Sequence, residues 1–171
     1  MHRLFQLPVE HGKTAESYEL SDSSLKRTRE QLNNVSLIII DEGSMVSNVN
    51  LMYLHLRLTE TFNTENCENS FFGKKHILVF GDLLQLPPVN EGLVFQKLSD
   101  AKTKKYIKTI ASFDIWSLFE YDELTINMRQ QNDDVYRNIL WNIRIGRVTH
   151  EDVKVLRPKC ISFSSFSTLK D

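Results

Sequence analysis

Leu37, Ile38, Ile39 and Ile40 form an unbroken, largely β-branched apolar run that stops abruptly at Asp41 and Glu42. Without period-two alternation, such a run predicts a parallel strand buried on both faces, which commits the chain to an α/β architecture. In open α/β sheets ligands gather beyond the carboxyl ends of the strands, so the two carboxylates stand where such sheets do their chemistry. A pair of this kind can hold a hydrated Mg²⁺ and orient a water against a phosphate. It can equally be a polar loop that closes a core strand.

The same pattern returns once. His76-Ile77-Leu78-Val79-Phe80 is a second short apolar run, and it too ends in an acidic turn, Gly81-Asp82. The continuation Leu83-Leu84-Gln85-Leu86-Pro87-Pro88-Val89 is the most specific string in the chain. Glycine lets the backbone leave the strand, and two prolines stiffen the exit. Gln85 can donate and accept, which suits a phosphate oxygen or a positioned water. Ordinary turn punctuation accounts for Gly-Asp and Pro-Pro as well. Two successive strand-then-acid units nevertheless fit a nucleotide-hydrolysing sheet better than chance does.

Between the two runs, Val49, Met52, Leu56 and Phe62 recur at helical spacing, with Leu51, Leu54 and Leu58 widening the stripe. This predicts a helix packed on the sheet, with His55 inside it as a packed or surface residue, since no second ligand stands at i+4. Ser23 and Ser24 are expected to cap an earlier helix running to Asn33, whose outer face carries Lys26, Arg27 and Arg29. Phe113, Trp116 and Phe119 share a predicted helical face and read as core. Asp133 or Asp134 opens a helix with Val135, Ile139, Leu140 and Ile143 inward and Gly146 as its terminator, and Thr149 caps the next.

At 171 residues with a formal net charge of −1, the length suits one domain and gives no overall basic footprint. Nucleic-acid binding must then come from a local patch. Lys97, Lys102, Lys104, Lys105 and Lys108 form the clearest basic stretch, either a solvated loop or a set of phosphate contacts. Cys67 and Cys160 belong to no Cys/His cluster, which argues against zinc and against a disulfide scaffold. No apolar run approaches the roughly 20 residues that cross a bilayer, so no membrane partner is expected. Gly12-Lys13-Thr14 matches the end of the phosphate-loop pattern G-x-x-x-x-G-K-[ST], but Leu7 stands where its first glycine would be and Pro8 removes an amide. It reads as a surface loop.

Three ordered strings, Ile38 to Ser47, Gly81 to Val89 and Leu124-Thr125-Ile126-Asn127-Met128-Arg129-Gln130, strongly resemble the petite-integration-frequency-type DNA helicases. The resemblance runs from about His2 to Arg157 and takes in Phe5-Gln6-Leu7-Pro8-Val9, Trp116 and Ile143-Arg144-Ile145-Gly146. It implies a RecA-like P-loop NTPase fold, a mainly parallel sheet flanked by helices, and a superfamily-one motor. Such a motor hydrolyses ATP with Mg²⁺ and moves 5′-to-3′ on single-stranded DNA, with forked duplex DNA as its substrate. Work in DNA repair, recombination and telomere maintenance, a monomeric state, and a place in nucleus or mitochondrion are implied with it.

By the same resemblance, Asp41 helps hold Mg²⁺, Glu42 activates the attacking water, and Gln85 senses the γ-phosphate. Arg129 stands near the nucleotide where two motor domains meet, Gly81 and Asp82 lie beside the nucleotide, and His2, Pro87 and Pro88 lie towards DNA. Residues 1–158 are expected to form a partial motor domain lacking the N-terminal phosphate-loop unit, and 159–171 an unmatched tail. Gly43 replaces the larger residue usual after the acidic pair, which is expected to loosen that turn. A fragment of this extent is expected to bind ATP poorly and unwind nothing by itself. The alternative is an inactive or mobile-element-derived remnant that at most binds single strands or a partner.

Overall fold

The computed structural model describes residues 2–5, 7, 20–65, 67–68, 70–99, 101 and 114–160. Gly12 to Thr14, the lysines at 102, 104, 105 and 108, Phe113, residues 161–171 and the side chain of His2 lie outside that set. The chain divides into two compact units, Met1–Glu120 and Tyr121–Asp171.

The first unit is built on a two-stranded parallel sheet. Strands β1 (Leu37–Ile40) and β2 (His76–Val79) pair in register, Leu37 opposite His76 and Ile40 opposite Val79. The ladder extends past both ends, with His76 N–H donating to Ser36 O at 2.9 Å and Phe80 N–H to Ile40 O at 2.8 Å. A four-residue helix α1 (His2–Phe5) and α2 (Asp22–Leu32) precede the sheet, and α3 (Asn48–Phe62) lies in the connection between the strands. Parallel strands need a crossover of this kind, and the apolar stripe read from the sequence is that crossover.

The serine at 47 starts α3, its hydroxyl accepting from Asn50 N–H at 3.0 Å, and Asn63 ends it in the left-handed region. Leu51, Leu54 and Leu58 are buried, and they pack with Ile38 and Ile40 of the sheet and with Phe5, Leu32, Phe72, Val94 and Leu98. Arg57 is buried in the same helix, donating from Nε to Phe5 O at 3.2 Å and pairing with Glu60 at 2.7 Å. Asn48 ties the start of α3 to the segment after β2, its backbone N–H on Gly92 O and its Nδ2 on Gln96 O at 2.9 Å.

Three expectations change. Strand β1 is buried on one face only: Ile38 and Ile40 point into the core, while Leu37 and Ile39 are 46% and 59% exposed. The described residues cover one side of a two-stranded sheet, and the continuous apolar run cannot reveal that. Helix α2 is capped by Ser21, whose hydroxyl accepts from Ser24 N–H, not by Ser23 or Ser24. The aromatic pair Trp116 and Phe119 stacks at 5.3 Å, as core, but from a short 3-10 turn at Ile115–Leu118.

The second unit holds α4 (Asp134–Arg144) and α5 (His150–Leu156). Asp133 caps α4, accepting from Tyr136 N–H at 2.8 Å. Ile139 is buried as expected, but Val135 and Ile143 are 61% and 46% exposed. Helical spacing locates an apolar stripe without saying how wide its cover is. Thr149 and Asp152 form a reciprocal capping box at the start of α5. Thr149 N–H and Asn142 Nδ2 both donate to Asp152 Oδ2, at 2.8 and 2.9 Å, which joins the two helices and holds that carboxyl below the usual range. No helix among the described residues is long and apolar enough to cross a membrane.

Candidate nucleotide site

The parallel pairing sets the carboxyl ends of β1 and β2 side by side, so Asp41-Glu42 and Gly81-Asp82 leave the sheet at the same edge. Both carboxylates of the first pair are exposed. Glu42 sits in the left-handed region at φ 55, ψ 48, a conformation that costs an ordinary residue about 1–2 kcal/mol. Two contacts hold it there. Its own N–H donates to Asp41 Oδ1 at 2.9 Å, and the next N–H, that of Gly43, donates to Phe80 O at 2.8 Å. A 3-10 turn, Gly43–Met45, follows and feeds directly into α3.

The Gly43 turn is tight. A Cβ on Gly43 would lie 2.5 Å from Val79 Cγ1 and 3.2 Å from Phe80 O, so the small residue allows close approach between the two loops. The expected loosening is absent for that reason: the space that a larger residue would fill is closed by β2.

The second loop is ordered by its aspartate. Asp82 is half-buried, its Oδ1 accepts from Leu84 N–H at 3.0 Å, and its carbonyl accepts from Gln85 N–H at 2.9 Å. Gln85 is thereby held in a turn with its side chain exposed to solvent. Pro87 is exposed and Pro88 half-buried beyond it. The structure therefore brings Asp41, Glu42, Gly81, Asp82 and Gln85 to one sheet edge. Arg129 belongs to the second unit, where it is exposed and where Asn127 Oδ1 accepts from both Arg129 N–H and Gln130 N–H, at 3.0 and 3.1 Å.

Sequence reading named Asp41 and Asp82 for the nucleotide and Asn127 only as part of a motif, and missed the backbone bonds by which all three order their turns. Asp41, Asp82 and Asn127 each accept a backbone N–H close to a candidate catalytic residue, an arrangement to which short Asx side chains are suited. The signal was present as an Asx residue one to three positions before Glu42, Gln85 and Arg129.

The donor set at the sheet edge suits Mg²⁺. This ion keeps several waters and takes one or two protein carboxylates together with substrate phosphates, not a closed protein cage. An exposed Asp41 carboxylate with only one oxygen engaged by Glu42 N–H meets that requirement. Among the described residues no group of three or more His, Cys, Asp or Glu stands together as a metal cage.

A family model described as PIF1-like helicase matches residues 1–154. No curated protein matches the chain. Among solved structures, Pif1 helicase from Bacteroides in complex with ADP-AlF3 and ssDNA is 27% identical, with a TM-score of 0.65 over 91% of this chain and 34% of its own. A structure describing DNA unwinding at forked dsDNA by two coordinating Pif1 helicases is 26% identical, with a TM-score of 0.55 over 91% of this chain and 36% of its own. Pif1 helicase from Candida albicans is 22% identical, with a TM-score of 0.63 over 92% and 32%, and bears on the fold alone. The chain thus spans about a third of the length of the solved proteins it matches.

Proposed function

Because the chain belongs to the PIF1-like helicase family, we propose that it carries the hydrolytic part of an ATP-driven DNA helicase motor that moves 5′-to-3′ on single strands and opens forked duplex. The observation that supports this best is the pair of acidic turns at one edge of a parallel sheet, joined backbone to backbone. Asp41 would hold Mg²⁺, which would supply charge neutralisation at the nucleotide phosphates. Glu42 accepts the proton of the attacking water, and its exposed carboxylate can reach a nucleotide that approaches the sheet edge from solvent. Gln85 hydrogen-bonds the γ-phosphate and reports its loss through the turn that Asp82 holds. Arg129 supplies a guanidinium to charge developing on the transferred phosphate. Pro87, Pro88 and His2 lie on the DNA side of the motor.

The bound nucleotide and strand of the Bacteroides relative agree with this reading. Residues 1–171 contain no complete phosphate-binding loop pattern, so on their own they are proposed to hold ATP weakly and to unwind nothing. The motor is proposed to work as a monomer in nucleus or mitochondrion, in repair, recombination and telomere maintenance. A second reading is a remnant that only binds single strands or a partner.

A hybrid tests the two. Residues 1–154 replace the matched third of the Bacteroides Pif1 chain, and hydrolysis and unwinding are followed with and without DNA. Hydrolysis that DNA stimulates, together with unwinding from a 5′ tail, supports the motor. A folded hybrid that binds DNA but turns over no ATP supports the remnant.

A further inference from the structure

The acidic pair and the glutamine loop meet through two glycines, and the contact is backbone on backbone. A Cβ on Gly81 would lie 2.6 Å from Gly43 N, 3.1 Å from Gly43 Cα and 3.2 Å from Ser44 N. Those atoms belong to a turn already fixed by Gly43 N–H on Phe80 O at 2.8 Å, so nothing there is a flexible side-chain end that could move aside. The residue immediately before Gly43 is Glu42, held at positive φ. The residue immediately after Gly81 is Asp82, which orders the turn carrying Gln85. Residues kept in sparsely populated conformations persist only where surrounding structure over-determines them. Here the surrounding structure is the two-glycine seam.

We propose that Gly43 and Gly81 are positioning residues: their backbone contact holds Glu42 in its left-handed conformation and couples that setting to the loop carrying Gln85. The proposal rests on the hydrolytic role given to Glu42 above. Neither glycine needs to touch nucleotide. A shift of the Gln85 loop on gaining or losing its phosphate contact passes through Phe80, Gly81 and Gly43 to Glu42, so the turn that senses the phosphate and the carboxylate that activates water move as one piece. The small residue at position 43 is the feature that allows this closeness, since any larger one meets Val79.

The two glycines give different rescue patterns. At Gly43 the nearest obstacle is a side chain, Val79 Cγ1, so Gly43→Ala disturbs the seam and a companion Val79→Ala relieves it. At Gly81 all three near atoms are backbone, so Val79→Ala does not rescue Gly81→Ala. The seam is read first in the 171-residue chain, by residue-resolved hydrogen exchange of the Gly43 amide, which needs no catalysis. Both single variants are expected to lose about tenfold or more of the Gly43 protection, and only the Gly43→Ala/Val79→Ala pair to regain it.

The hybrid motor then separates positioning from binding. Gly81→Ala is expected to lower kcat about tenfold or more while the dissociation constant for a non-hydrolysable ATP analogue stays within about threefold. Gly43→Ala/Val79→Ala is expected to return kcat to within about threefold of the parent hybrid. Gly81→Ala that folds with Gly43 protection and kcat unchanged overturns the proposal, as does a Gly43→Ala defect that Val79→Ala leaves untouched. If Gly81→Ala does not fold, the Gly43 pair decides alone by the same two readings. A parent hybrid without ATPase refutes the hydrolytic role instead, and the exchange pattern still decides whether the seam exists.

Discussion

A glutamate in the left-handed region at the end of a strand makes a stability prediction opposite in sign to that for most substitutions. Glu42 has φ 55 and ψ 48, and its side chain is exposed, so removing it forfeits little packing. An L-residue pays about 1–2 kcal/mol in this conformation, while glycine adopts it freely and instead costs about 0.5–1 kcal/mol through the greater freedom of the unfolded chain. The difference predicts that Glu42→Gly stabilises the fold by about 0.5–1 kcal/mol. For a chain of this length that corresponds to a rise in Tm of roughly 1–4 °C. Glu42→Ala serves as the control, because it removes the same carboxylate but retains a Cβ at the same φ. It is expected to change stability by no more than about 0.5 kcal/mol.

The assay is thermal and urea unfolding of the 171-residue chain and its two variants, followed by far-ultraviolet circular dichroism at neutral pH. In the hybrid motor both variants should lack hydrolysis, so the site surrenders stability in order to keep its carboxylate, a trade common where geometry is held under strain. Glu42→Gly no more stable than Glu42→Ala would show that the left-handed setting carries no cost and that Glu42 is not held under strain.

Two further predictions concern the scaffold. Leu58 is fully buried in the core between α3 and the sheet, so Leu58→Ala should cost about 3 kcal/mol and lower Tm by roughly 6–12 °C. His55 accepts from Phe72 N–H at 3.1 Å between the rings of Phe71 and Phe72, and burial lowers its pKa from 6.5 to about 4. The unfolded chain therefore takes up this proton first: stability from His55 is complete above about pH 6.5 and declines towards pH 4, by at most about 3 kcal/mol. His55→Gln should flatten that decline between pH 6.5 and 5 in urea titrations, and an unchanged slope would contradict the assignment.

The strands and their shared edge were more legible in the sequence than the packing. Apolar runs closed by acids located both strands and their common edge, since strand termini in a parallel sheet are punctuated locally. The helix α3 was legible for the same reason, its stripe being contained within one element. Burial was less legible, because it depends on what else covers an element. Leu37 and Ile39 read as core and are exposed, and Val135 and Ile143 were expected to face inward and do not. Gly43 was misread because a missing side chain looks like slack in one dimension, whereas here it is filled by Val79 and Phe80 from a strand more than thirty residues away. The order that Asp82 and Asn127 give their turns was visible only as residue type until the hydrogen bonds were known.

Glu42→Gln in the hybrid motor decides whether Asp41 and Glu42 form a hydrolytic pair. The substitution keeps the size of the side chain and removes only its ability to take a proton from water. Single-turnover ATP hydrolysis and equilibrium binding of a non-hydrolysable analogue are measured on the same preparation. Hydrolysis is expected to fall by about a hundredfold or more, with analogue affinity within about threefold of the parent. Turnover that survives the change would show that Glu42 does not take the proton of the attacking water.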